Sequence, residues 1–351
     1  MSAPTLGIVV PCRNEAAVIE RKLLNLALCR LPRPDRPHRI VVVDDGSDDA
    51  THALATAACE RLFGRSEHLR ASVVRNTIRP GKPGAIRAGI AALEGAVDIV
   101  VLTDADVVLV PRAFESLAGA FALDPDLAMA CGAQRFVTGL APDGSCQSPG
   151  GGDVESAMTA FDAWTAGVRR FESRLGRVFS VHGQLLAWRA SLGLEPAFGI
   201  AADDLELMLQ VRAREGSCRR IERVSEAEFF EVKTPPGERR KEQALRRARA
   251  YVQVLRAAQP GRGGWIDRAQ WLFYRYVPTN APLMTVLLAV FVLGYAAASG
   301  WTALAVAVVV LAGLAATPIG RRWLALMSII RAAVRIEARE SLPERWEMTR
   351  T

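Results

Sequence analysis

Over its first hundred residues the chain alternates short apolar runs with stretches whose apolar residues recur every three to four positions. Leu6–Pro11 (LGIVVP), Arg39–Val43 (RIVVV), Ser72–Val74 and Asp98–Thr103 (DIVVLT) read as strands, and Ala16–Leu28, Asp49–Leu62 and Gly84–Leu93 as helices. An apolar run without polar alternation fits a strand buried on both faces. Such strands separated by helices predict βαβ units, hence a parallel sheet covered on both sides. Ligands gather at the carboxyl ends of strands in such sheets. Asn14-Glu15, Asp44-Asp45-Gly46-Ser47 and Asp104-Ala105-Asp106 all fall there. Further on, residues 140–153 are rich in Gly, Pro, Ser and Asp and read as a loop. Asp153–Arg174 reads as a helix, Val178–Trp188 as ending in an apolar strand, and Ala201–Glu215 as a helix that opens on acids. After the break at Thr234-Pro235-Pro236-Gly237, Glu238–Ala258 is a long arginine-rich helix.

The pattern changes beyond Arg275, where the 45 residues 276–320 carry no charge. Trp265–Val277 mixes aromatic rings with arginine, as interfacial helices do. Pro282–Ser299 and Trp301–Ile319 are apolar stretches close to the roughly 20 residues that cross a bilayer. Ser299-Gly300 leaves room only for a tight turn between them. Arg268 and Arg275 precede the tract, and Arg321, Arg322, Arg331 and Arg335 follow it, so both flanks are expected on the cytosolic side. The expected plan is a cytosolic catalytic head over 1–260, an interfacial helix over 261–277, two transmembrane helices over 278–320 and a cytosolic basic tail over 321–351. That is a multi-pass protein of the cell (inner) membrane. A buried hairpin in a soluble protein is the competing reading, and 45 uncharged residues is excessive for one.

Half of the 351 residues are apolar, enough for a sizeable core. The six cysteines form no CxxC and no close Cys/His pair, which argues against a zinc site and a disulfide framework. No basic segment followed by a hydrophobic stretch opens the chain, so no cleavable signal is expected. The net charge of +7 comes with arginines around the apolar tract and along 239–256, and aromatics are not interleaved with them in any RNA-binding pattern. Anionic lipid is the expected partner of that charge, and nucleic acid is not.

Each acidic cluster has two readings. Asp44-Asp45-Gly46-Ser47 is either a tight turn with a helix cap or a ligand-binding loop. Asp104-x-Asp106 is either an exposed turn or a pair of carboxylates meeting one hard cation, Mg2+ or Mn2+, which keeps open positions for diphosphate oxygens. Asp203-Asp204 either stabilises a helix dipole or supplies a general base for an acceptor hydroxyl. Lys82, in the turn RPGKPG, is exposed or neutralises phosphate; no Walker pattern surrounds it. His182 is expected to pack or hydrogen-bond rather than to react.

Taken in order, these segments resemble family 2 glycosyltransferases of the GT-A fold across about residues 5–256. VVPCRNEAAVI resembles the family's P-x-x-N-E loop, IVVVDDGSDDAT its V-D-D-G-S-x-D element and VVLTDADV its D-x-D strand. RPGKPGAIRAGI resembles G-K-x-x-A-x-N-x-G with Arg87 in place of Asn. VHGQLLAWR and AADDLEL stand where the family has its acceptor-side stretch and E-D-x-x-L. The resemblance implies an α/β fold, a GT-A-type mostly parallel nucleotide-binding sheet flanked by helices, here with a C-terminal transmembrane hairpin. It implies that Pro11, Asn14, Glu15 and Asp45 line the nucleotide pocket, that Asp44 orients the loop, and that Asp104 contacts the ribose or supports the site. Asp106 would hold Mg2+ or Mn2+ on the donor diphosphate, and Asp204 would be the base of an inverting displacement. Lys82 and Arg249 are the candidate cations for the donor's phosphates. Processive members carry Q-x-x-R-W; here Arg246-Arg247-Ala248-Arg249-Ala250 keeps only Arg249. The resemblance therefore implies transfer of one sugar, from a nucleotide-sugar, with uridine the family's usual base, to a lipid or glycan acceptor. A processive synthase subunit and a catalytically degenerate scaffold are the alternatives.

Overall fold

The structure, a computed structural model, describes residues 3–32, 36–214, 219–257 and 264–340. The chain forms two compact units that meet in sequence at Thr234 and Pro235. The boundary expected near residue 260 therefore moves ahead of the arginine-rich helix, which groups with the C-terminal helices.

The first unit is built on a sheet of strands β1 (Leu6–Cys12), β2 (His38–Asp44), β3 (Leu69–Arg75), β4 (Ile99–Thr103), β5 (Val108–Leu109), β6 (Leu127–Val137), β7 (Leu185–Arg189) and β8 (Arg220–Val232). Its helices are α1 (Ile19–Leu28), α2 (Thr51–Phe63), α3 (Lys82–Ala92), α4 (Ala113–Leu123), α5 (Ala160–Arg174) and α6 (Asp203–Ala213). The spatial order is β3-β2-β1-β4-β7-β6-β8-β5. Every residue of β1 and β4 is buried, as their unbroken apolar runs require. At Gly89 a Cβ would sit 2.4 Å from Val9 Cγ1, so the absent side chain is what lets α3 press against β1.

Expectation and structure agree on the parallel half, β3-β2-β1-β4. Past β4 the sheet is mixed: β7 runs antiparallel to β4 and β6, β8 is parallel to β6, and β5 is antiparallel to β8. Cys12 pairs with Asp44, and Asp44 with Arg75, so the carboxyl ends of β1, β2 and β3 are level. The β1–β4 ladder stops at Val9–Leu102, two residues short of Pro11, which has no N–H to contribute to it. This levelled edge positions the candidate site.

The second unit contains α7 (Glu238–Ala257), α8 (Trp265–Ala298), α9 (Trp301–Ala316) and α10 (Pro318–Glu337). The expected interfacial helix and first span are one continuous 34-residue helix, α8, despite Pro278 and Pro282 inside it. Pro278 cannot donate to the carbonyl of Tyr274, and the hydroxyl of Tyr251 donates to that oxygen instead at 2.6 Å. Mean hydropathy over the apolar window of α8 is 2.1, and 6% of that window is buried, so its length and composition suit a bilayer crossing. The turn expected at Ser299-Gly300 is present, with Gly300 at φ 120°. The second expected span is not straight: α9 ends at Ala316 and the chain bends by 81° into α10.

Candidate active site

The loops after β1 and β2 are tied together by side chains on backbone. Asn14, held at φ 52°, donates its N–H to Ser47 Oγ at 3.0 Å and accepts from the Asp48 N–H at 2.8 Å. The N–H of Glu15 donates to Thr51 Oγ1 at 2.8 Å. Asp44 accepts from the Ser47 N–H at 2.9 Å and lies 3.3 Å from His52 Nδ1, so it orients its own loop. Asp45 accepts from Asn76 Nδ2 at 2.5 Å and from the Gly81 N–H at 2.8 Å, which joins β2, the end of β3 and the start of α3.

Lys82 is the hub of the next layer. Its Nζ lies 2.9 Å from Asp104 Oδ1 and 3.7 Å from Asp203 Oδ2. One lysine thus links the end of β4 to the first turn of α6. Burial lowers its pKa, but Asp104 and Asp203 outweigh that and hold it above an ordinary lysine. Burial raises the Asp203 carboxyl to about 6 against the pull of Lys82, with Asp204 and Asp104 adding to the rise. A carboxyl raised in the folded state contributes stability that is full below the unfolded value near 4 and is lost as pH rises through 6. Asp203→Asn, with nothing to titrate there, should gain on wild type between pH 4 and pH 7 by about 1–3 kcal/mol, read from thermal unfolding at both pH values.

Asp204 accepts from the Gly183 N–H at 3.1 Å and from the Leu205 N–H at 2.8 Å. The segment leading into it is clamped to α3. Arg87 Nε donates to Pro196 O at 2.8 Å, its guanidinium lies over the Phe198 ring at 4.4 Å, and Arg79 lies over the same ring at 5.1 Å. Arg87, where the resemblance expects Asn, therefore fixes the approach to the two acids.

Lys22 is a residue that sequence reasoning missed. Fully buried in α1, it donates from Nζ to Thr103 Oγ1 at 2.7 Å and to Val107 O at 3.2 Å, bracketing the Asp104–Asp106 turn. Burial lowers its pKa to about 8. Asn25, one turn further on, donates from Nδ2 to Leu109 O at 2.9 Å and accepts from the Leu109 N–H at 2.8 Å. The available signal was positional: Lys22 and Asn25 fall among Ile19, Leu23 and Leu26 on the buried face of α1.

The profile of Glycosyl transferase family 2 matches residues 7–143, the span that contains all of these loops except the approach to Asp203-Asp204. That segment of the chain is similar to the family's domain. Over 105 residues it is 34% identical to glucosyl-3-phosphoglycerate synthase from Mycobacterium tuberculosis, covering 30% of this chain and 29% of that protein. Over 127 residues it is 31% identical to undecaprenyl-phosphate 4-deoxy-4-formamido-L-arabinose transferase from Sodalis glossinidius, covering 36% of each. The chain thus spans about a third of the length of these relatives. A mannosyltransferase from Pyrobaculum calidifontis, solved with GDP-Man and Mn2+, superposes with a TM-score of 0.70 over 96% of this chain and 88% of its own, at 24% identity; it shares the fold.

Lys82 links Asp104 to Asp203, and the N–H of the preceding residue, Gly81, donates to Asp45, which follows Asp44 at the end of β2. Asp106 is two residues along the same turn, and Asp204 follows Asp203. Pro11 is buried in β1, and Asn14 and Glu15 form the adjoining loop. Arg249 belongs to the second unit, where its Nε donates to Glu337 Oε1 at 2.7 Å. His182 is buried with its ring edge-on to Phe229, the packing role expected of it. Among the described residues no three His, Cys, Asp or Glu side chains converge into a metal cage. Asp104 is engaged by Lys82, and Asp106 in the same turn offers a hard oxygen donor of the kind that Mg2+ and Mn2+ accept.

Proposed function

We propose that the chain is an inverting, divalent-cation-dependent glycosyltransferase that moves one sugar from a nucleoside diphosphate sugar to a lipid or membrane-associated glycan acceptor. The observation that carries this reading is the unbroken run of contacts from Asp45 through Gly81-Lys82 to Asp104 and Asp203, at the carboxyl edge of the parallel strands. Asn14, Glu15, Asp44 and Asp45 tie together the two loops over which the nucleotide would lie. Lys82 offers a positive charge on the phosphate side of it. Asp204 takes the proton of the acceptor hydroxyl as that oxygen bonds to the anomeric carbon; the bond to the diphosphate breaks, and the nucleoside diphosphate leaves. A bound Mg2+ or Mn2+ at Asp106 would neutralise charge on the leaving diphosphate. The undecaprenyl-phosphate relative and the unburied apolar helix α8 support a membrane-borne acceptor.

The test is a panel of labelled UDP- and GDP-sugars given to membranes containing the chain, with product partition and size as readouts. A single-sugar, solvent-extractable product that needs Mg2+ or Mn2+ is expected. A polymer would indicate a processive synthase, and no incorporation from any donor would refute the reading.

Two further outcomes follow from the same geometry. Lys22→Met replaces a desolvated ammonium with a similarly sized thioether, so the thermal midpoint should hold or rise. The Asp104–Asp106 turn loses its bracket, and turnover should fall by about tenfold or more in a metal-titrated assay. In the membrane, α8 and the α9–α10 segment are expected to cross together and return the chain to the cytosol. A reporter fused after Thr351 should then report cytosol, and an external signal would mean an odd number of crossings.

A further inference from the structure

Helix α5 presents an apolar stripe that the first unit does not cover. Phe161, Trp164, Val168, Phe171 and Leu175 recur at spacings of three and four, which places them within about 80° of the helix circumference. Phe161 is 60% exposed, Trp164 66%, Phe171 63% and Leu175 53%. The helix itself is firmly seated. A capping box of Thr159 and Asp162 closes its first turn. On its inner side Arg169 Nε donates to Ser180 O at 2.8 Å, Ser173 Oγ accepts from the Arg223 N–H at 2.8 Å, and Lys233 pairs with Asp162. Those contacts fix which face points outward. Arg170 and Arg174 are exposed beside the apolar stripe, on the solvent flank.

We propose that this face of α5 docks on the surface of an anionic lipid bilayer. Large exposed apolar patches on a folded unit mark interaction surfaces. Rings with arginines alongside suit the boundary between acyl chains and headgroups, where apolar side chains sink and guanidinium groups meet phosphate. The same chain carries α8, a 34-residue helix with 6% of its apolar window buried, so a bilayer is within reach of the molecule. Docking has a consequence for the site. Arg169 grips Ser180, three residues before Gly183, whose N–H holds Asp204. A lipid-seated α5 would keep the proposed base at the level of acceptor headgroups. The inference shares with the proposed function only the expectation of a membrane, and its test reads lipid contact without sugar transfer.

The full chain is reconstituted in phosphatidylcholine–phosphatidylglycerol vesicles that contain a photoactivatable phospholipid, irradiated, and its adducts are mapped by peptide mass spectrometry. Adducts are expected on 160–175 as well as on α8, which serves as the internal control. On 160–175 they should fall roughly threefold or more in Trp164→Glu/Phe171→Glu, in Arg170→Glu/Arg174→Glu, and in vesicles without phosphatidylglycerol. All substituted side chains are exposed, and an unchanged thermal midpoint verifies each variant's fold. Adducts on α8 with none on α5 would overturn the proposal, whatever the donor panel shows. So would protein–protein cross-links joining α5 of two copies, because a second copy would then be the occupant.

Discussion

Asp204→Asn is expected to lower sugar transfer by roughly 10²–10⁴-fold while leaving donor affinity within a few-fold of wild type. The carboxylate is the group placed to accept the acceptor's proton, and an amide of the same shape cannot take it. Among the described residues, the adjacent acids are otherwise engaged: Asp203 pairs with Lys82, and Glu206 accepts from the Ala197 N–H at 3.2 Å. The exchange also carries a structural cost. Both oxygens of Asp204 accept backbone N–H groups, from Gly183 and Leu205, and asparagine has one oxygen to offer. One donor is left facing an NH2 group, worth about 1–3 kcal/mol, so the variant should unfold at a lower temperature than wild type while still binding donor. Single-turnover kinetics alongside calorimetric donor binding separates the two effects. Wild-type transfer by this variant would refute the base assignment.

Asp106→Asn should reduce metal-stimulated turnover by roughly 10²–10³-fold and raise the Mn2+ concentration needed for half-maximal rate. Asp104 is ion-paired to Lys82 at 2.9 Å, so its charge is largely spoken for within the protein. The buried ammonium of Lys22 is turned to Thr103 Oγ1 and Val107 O, which fixes the turn from inside. Asp106 is the carboxylate proposed to meet a divalent cation, and neutralising it removes that anionic ligand while conserving shape. An unchanged Mn2+ dependence would move the metal assignment to another residue.

The parallel half of the sheet could be read from sequence because β1, β2 and β4 are nearly continuous apolar runs, each followed at once by polar residues. That pattern alone put Asn14, Asp45 and Asp104 at one edge. The mixed half was far less legible. β6 and β8 are long, paired to each other across register shifts between Leu127 and Met129 and between Cys131 and Ala133, and such irregularities interrupt a period of two. β8 further interleaves Glu222, Glu226 and Glu228 with its apolar residues, so the polar residues mask the strand. Lys22 carries no motif; its meaning depends on Thr103, 81 residues away, which only the fold brings near. Arg249 is the opposite case. Its motif fragment implies phosphate, and the fold adds a partner that the motif does not indicate, Glu337, 88 residues on in the second unit. The division expected between residues 277 and 282 falls at the two prolines inside α8, and the hydroxyl of Tyr251 donates to the Tyr274 carbonyl that Pro278 cannot serve.

The most direct measurement is an experimental structure of the full chain with Mn2+ and UDP or GDP bound. The account predicts the nucleotide over the Asn14, Asp44 and Asp45 loops, its diphosphate beside Lys82 and joined to Asp106 through the cation, and Asp204 open to the same cleft. A nucleotide bound elsewhere, or a cation that Asp106 does not touch, would contradict it.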